Sequence, residues 1–63
     1  MFDNCYKEGY NNGLNDALNG KSKNYTGFPK GKALLSSKYY DTYVQGYDVG
    51  YRDGMAKINN IYN

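Results

Sequence analysis

Apolar and small residues recur near the start of the chain at Phe2, Tyr6, Gly9, Tyr10, Gly13, Leu14, Ala17 and Leu18. Polar residues fill the gaps at Lys7, Glu8, Asn11, Asn12, Asn15, Asp16 and Asn19. This i, i+3, i+4, i+7 spacing describes one buried helical face, and nothing alternates with the period of two that marks a strand. It predicts a helix over about 3–20. Asp3 is placed to cap its start, because a carboxylate there accepts backbone N–H groups. Gly20 is placed to stop it, since glycine enters the left-handed region without a Cβ clash. A longer stripe runs through Tyr40, Tyr43, Tyr47, Gly50, Tyr51, Gly54, Ile58 and Ile61, with Gly46 beside it. It predicts a second helix over about 37–61, capped by Ser36 or Ser37. Gly27, Pro29 and Gly31 mark the segment between, about 21–36, as loop, with room for one helical turn at Lys32-Ala33-Leu34-Leu35.

The two stripes share a unit. Tyr6-x-x-Gly9-Tyr10-x-x-Gly13 returns as Tyr43-x-x-Gly46-Tyr47-x-x-Gly50, 37 residues later, and Tyr51 and Gly54 extend the second copy. Each helix-interior glycine costs about 0.8–1 kcal/mol relative to alanine, so packing must offset the loss. A glycine leaves room for an opposing backbone or ring. Since each glycine sits beside a tyrosine, the expectation is a seam in which the tyrosines of one helix lie over the glycines of the other. The predicted fold is an all-α two-helix hairpin with a basic connecting loop, forming one domain.

Nine tyrosines and eight glycines in 63 residues argue for a folded chain, because disorder normally comes with few aromatics. A domain of this size buries only about 60% of its unfolded surface, and such domains usually gain stability from a disulfide, a metal or a partner. Cys5 is the single cysteine and there is no histidine, so neither an internal disulfide nor a soft-ligand metal set is expected. A partner is the remaining route, either a second copy in a homodimer or another macromolecule. The start of the chain lacks the features of a signal peptide. No apolar run approaches the roughly 20 residues of a membrane span. A cytoplasmic protein is expected, with Cys5 an inert edge residue.

Charge changes the picture more than composition does. Lys21, Lys23, Lys30, Lys32 and Lys38 fall in residues 21–38 without a single acid, whereas the flanking segments are net acidic. Catalytic chemistry is thin: no histidine, no evident base for Cys5, and Asp48 and Asp53 read as a solvated helix flank sooner than as an acid–base pair. No catalytic residue, cofactor, metal or small-molecule substrate is expected. Lys21-Ser22-Lys23-Asn24-Tyr25 interleaves cations with a hydroxyl, an amide and a ring, a mixture suited to phosphate contact and base stacking. The candidate RNA-binding residues are Lys21, Ser22, Lys23, Tyr25, Lys30, Lys32 and Arg52. The candidate seam or interface residues are Tyr6, Gly9, Tyr10, Gly13, Tyr43, Gly46, Tyr47, Gly50, Tyr51 and Gly54.

Gly9-Tyr10-x-x-Gly13, Gly20-Lys21-Ser22-Lys23 and Gly50-Tyr51-Arg52-Asp53-Gly54-Met55 resemble, in that order, the short motifs of bacterial ribosome modulation factor. The resemblance spans about Tyr6 to Met55. It implies two helices joined by a linker, binding to the RNA of the small ribosomal subunit near the message exit, and silencing of translation through ribosome dimers. By matched position, it carries RNA contact onto Lys21, Ser22, Lys23 and Arg52. The departures are an acidic start where the family is arginine-rich, a first helix about one turn longer, and no Cys-Pro-Tyr in the linker. The chain also resembles small phage-encoded proteins with paired Tyr-x-x-Gly-Tyr-x-x-Gly helices. That likeness implies a different partner: a host defence or translation protein, inhibited through a tyrosine-rich helical face.

Overall fold

A computed structural model describes residues 2–28 and 37–62, with side chains over 4–28 and 37–60. Helix α1 spans Phe2–Leu18 and helix α2 spans Ser37–Tyr62, and no strand occurs among the described residues. The all-α helix pair expected from the two stripes is what forms. Helix α1 begins one residue before Asp3, so Asp3 lies in its first turn and not at the cap. The apolar stripe already includes Phe2, and the helix extends to it. Ser36 and the turn expected at Lys32–Leu35 lie outside the described residues.

The end of α1 is fixed by Gly20. Its φ of 72° is the one positive value among the described residues. That rotation lets the Gly20 N–H donate to the Ala17 carbonyl at 3.1 Å and the Lys21 N–H donate to the Asp16 carbonyl at 2.8 Å. These are the two bonds of a Schellman cap, which satisfy helix-end carbonyls that would otherwise lack partners.

The glycines reveal how the helices meet. A Cβ built on Gly9 would strike the Tyr43 carbonyl oxygen, and one on Gly13 the Tyr47 carbonyl oxygen. In return, Gly46 faces the Tyr6 carbonyl and Gly50 the Tyr10 carbonyl, all four far inside 3.0 Å. The expectation of rings over glycines is therefore corrected: the notches admit opposing backbone. The tyrosine side chains leave the seam sideways, while their carbonyls stay on it. Each carbonyl points at the glycine Cα–H that takes the place of a side chain, a weak contact worth about 0.5–1 kcal/mol.

Register follows from the same contacts. Tyr6 meets Gly46, Tyr10 meets Gly50, and Leu14 and Ala17 meet Gly54. Contacts advance together along both helices, so α1 and α2 run in the same direction. The 37-residue repeat is thus paired with itself, Gly9–Tyr43 being the counterpart of Gly46–Tyr6, as in an isologous dimer made within one chain. Reversing the chain needs only a turn of about 2–5 residues. Parallel helices instead need a return path of about 25 Å, the length of α1, and residues 19–36 supply it.

The described part of that segment, residues 19–28, packs against the helices. Phe28 is buried, with its ring edge-on to Tyr40 and Tyr43 at centroid distances of 5.3 Å. Tyr25 meets Tyr47 edge-on at 4.9 Å. Tyr43 and Tyr47 have no exposed surface, and Cys5 joins them in the core. Cys5 is therefore interior, not at an edge: it lies one turn before Gly9 and shares its inward face.

Gly50→Ala tests the interlock. The substitution adds helix propensity, which alone would stabilise by about 1 kcal/mol, but it drives a methyl into the Tyr10 carbonyl. We expect a net loss of about 2–3 kcal/mol, measured by urea denaturation. A stabilised variant would contradict the close approach.

Candidate nucleic-acid interface

A ladder of tyrosine hydroxyls sets the position of the loop that carries the lysines. Tyr43, Tyr47 and Tyr51 recur every four residues on α2, so they share one face. Asn12 Nδ2 donates to the Tyr43 hydroxyl at 2.7 Å. The Tyr47 hydroxyl donates to Asp16 Oδ2 at 2.5 Å and accepts from the Asn24 N–H at 2.8 Å. The Tyr51 hydroxyl donates to the Lys21 carbonyl at 2.6 Å. One further clamp runs from the Tyr25 hydroxyl to Asp48 Oδ1 at 2.6 Å. Each rung ties α2 either to α1 or to the segment that leaves it.

The consequence is a cationic end. The Tyr51 bond holds the Lys21 backbone against α2, and Lys23 Nζ lies 5.6 Å from the Tyr51 ring centroid. Lys23 also pairs with Asp48 at 3.4 Å, with both side chains close to half exposed. Arg52 follows Asp48 by one helical turn and is exposed, its Nε 4.0 Å from Asp53. Exposed pairs of this kind contribute about 0–1 kcal/mol, so these cations remain available to a stronger anion. Of the expected RNA contacts, Lys21 is tied to Tyr51 and Lys23 to Asp48, one turn before Arg52, and Lys21, Ser22 and Lys23 are all exposed. Tyr25 does not join them as a free stacking platform, because its ring packs on Tyr47 and its hydroxyl is held by Asp48. Lys30 and Lys32 lie outside the described residues.

Asp48 and Asp53, both partly exposed, serve separate tasks. Asp48 accepts from Tyr25, and Asp53 Oδ2 accepts from the Tyr10 hydroxyl at 2.7 Å. They are acceptors that hold the fold, not a facing acid–base pair. Among the described residues, no cluster of three potential ligands could hold a metal ion.

Beside the cationic end, an open cleft of about 370 Å³ lies between α1 and the return segment. Asn12, Asn15, Asp16 and Asn19 form one wall, and Lys21, Asn24 and Thr26 stand opposite. Asn12, Asn15 and Asp16 of α1, continued by Asn19 just past its end, fall at i, i+3, i+4 and i+7, so they make a polar stripe next to the apolar one. Sequence reasoning treated these asparagines as solvated filler. Their helical spacing was the signal, but only the folded loop gives the stripe an opposing wall.

The tyrosine clamps also predict an alkaline limit. Burial, then the hydrogen bond to Asp16, pushes Tyr47 up to about 12, while its bond from Asn24 acts the other way. The bond to Asp53 raises Tyr10, and the bond to Asp48 raises Tyr25. A group raised in the folded state stabilises fully below its unfolded value, near 10 for tyrosine, and loses that contribution as pH rises through its folded value. Cooperative unfolding is therefore expected between about pH 10 and pH 12, followed by tyrosinate absorbance alongside circular dichroism. Tyr47→Phe should cost about 1–3 kcal/mol at neutral pH, because the Asp16 carboxylate and the Asn24 N–H lose their partner. Titration of Tyr10, Tyr25 and Tyr47 at the ordinary tyrosine value in the folded protein would contradict the clamps.

No protein family matches the chain, and neither does any curated protein or solved structure.

Proposed function

We propose that this is a non-catalytic, cytoplasmic binding protein of the ribosome modulation factor kind, which engages ribosomal or other structured RNA and modulates translation. The observation that carries the reading is the hydrogen bond from the Tyr51 hydroxyl to the Lys21 carbonyl. It ties the Lys21 backbone to Tyr51, while Lys23 pairs with Asp48 one helical turn before Arg52, so lysines of the return segment lie along the stretch of α2 that carries Arg52. Cations grouped on a rigid surface suit phosphate, whose contacts supply most of the sequence-independent affinity for RNA. No helix among the described residues is long and apolar enough to cross a membrane.

The alternative, inhibition of a host protein through a tyrosine-rich face, has weaker support. Tyr43 and Tyr47 are fully buried, and the hydroxyls of Tyr10, Tyr25, Tyr47 and Tyr51 are spent inside the chain. Tyr6 and Tyr40 are the more exposed rings of the stripes, at 37% and 39%.

Salt dependence separates the readings. Under RNA binding, affinity for a structured ribosomal RNA fragment, measured by fluorescence anisotropy, should fall steeply as salt rises. Replacing Lys21, Lys23 and Arg52 together with glutamine should lower affinity at low salt by at least about tenfold and flatten the log–log salt slope by about 2. The removed ion pairs are exposed, so the fold should persist. An unchanged affinity and slope would reject the RNA reading.

A further inference from the structure

We propose that the cleft between α1 and the return segment seats one unpaired nucleobase carrying an exocyclic amine: adenine, cytosine or guanine, in preference to uracil. The inference rests on the RNA reading for the source of the base, and on the cleft for its chemistry.

The volume of about 370 Å³ is near the lower end of ligand-binding cavities, right for one planar ring system and small for a larger ligand. The polar groups left over in the cleft decide which ring. Asn12 Nδ2 is committed to Tyr43, leaving its Oδ1 as an acceptor. Asn19 Nδ2 is committed to the Asn15 carbonyl, again leaving Oδ1. Asp16 gives one oxygen to Tyr47 and keeps the other. Asn24 Oδ1 accepts from the Thr26 N–H at 2.9 Å, so its Nδ2 remains a donor. Among the described residues, the Asn15 side chain has no partner and offers both an acceptor and a donor. Acceptors therefore dominate the α1 wall, and donors stand across from it on Asn24 and Lys21.

An acceptor-rich wall wants N–H groups. Adenine, cytosine and guanine each present an amine next to a ring acceptor or N–H, and a carboxamide such as Asn15 can match an amine–acceptor pair with two bonds. Uracil can also pair its one N–H and a carbonyl with the Asn15 carboxamide, but its second carbonyl then faces the acceptors of Asn12, Asp16 and Asn19, which the further N–H of an amine would satisfy. The wall stands on a regular helix, so its spacing is fixed before the ligand arrives. Lys21 belongs both to the cleft and to the cationic end. A phosphate adjoining the seated base would meet it.

The test compares single-stranded RNA oligomers of adenosine, cytidine and uridine of equal length, together with adenosine and uridine monophosphates and a structured RNA fragment, by fluorescence anisotropy and competition. We expect adenosine and cytidine oligomers to bind about tenfold more tightly than uridine oligomers. Asn15→Ala/Asn19→Ala should erase that preference while leaving the salt slope intact. Both positions are exposed and Asn15 lies within α1, where alanine favours helix, so the variant should fold, as circular dichroism will show. Asn15→Ala alone removes a side chain that holds nothing else; if the double variant melts early, this variant should still bind every oligomer more weakly, and unchanged binding would overturn the proposal. Equal affinity for all oligomers, or binding of structured RNA alone, overturns the cleft proposal and leaves the RNA reading standing. Discrimination between the monophosphates, with oligomers binding no tighter, supports the cleft and rejects RNA as the source. Absence of binding to every probe overturns both.

Discussion

Tyrosine carbonyl oxygens occupying the space where glycines lack a Cβ bring α1 and α2 closer than any other residue would allow. The arrangement is reciprocal, Gly9 and Gly13 receiving Tyr43 and Tyr47 while Gly46 and Gly50 receive Tyr6 and Tyr10. Its cost is known in kind: helix-interior glycines weaken a helix by about 0.8–1 kcal/mol each. What offsets it is contact that depends on distance. Cα–H groups meet carbonyls, and with the backbones this close the rings of Tyr43 and Tyr47 are buried. Every other feature of the molecule follows from that spacing.

Direction is the first consequence. A unit that complements itself pairs in register with its copy, so the helices run parallel and the chain must travel back along their length. The return segment then ceases to be a passive tether. Phe28 and Tyr25 fill the groove it crosses, and the hydroxyls of Tyr47 and Tyr51 hold its backbone at Asn24 and Lys21. Lysines on a pinned segment form a surface of fixed shape, and the same pinning opens the amide-lined cleft against α1. Tyrosine suits both jobs because its ring packs while its hydroxyl reaches a polar partner.

Much of this was legible in one dimension. The helix periods, the repeat and the stop at Gly20 are local signals, and each is realised near the expected position. The occupant of the glycine notches was not legible, because adjacency to tyrosine suggests rings, whereas a helical side chain swings off the seam and leaves its carbonyl there. Parallel direction was half visible: an in-register repeat and a long spacer both point to it, yet neither excludes reversal. Cys5 was misjudged as an edge residue, since its burial depends on which segment lies opposite. The Asn12–Asn15–Asp16–Asn19 stripe looked like an ordinary solvated face until the loop supplied the second wall. Asp48 likewise shows its role only when Tyr25 and Lys23 arrive from the return segment.

The central claim is the in-register, parallel clasp, and proton–proton nuclear Overhauser contacts in solution test it most directly. The account predicts cross-peaks from the Gly9 α-protons to Tyr43 and from the Gly46 α-protons to Tyr6, with the matching pairs Gly13–Tyr47 and Gly50–Tyr10. Cross-peaks that instead join Cys5 to the Met55 end of α2, with the glycine pairs silent, would show opposed helices and contradict the account.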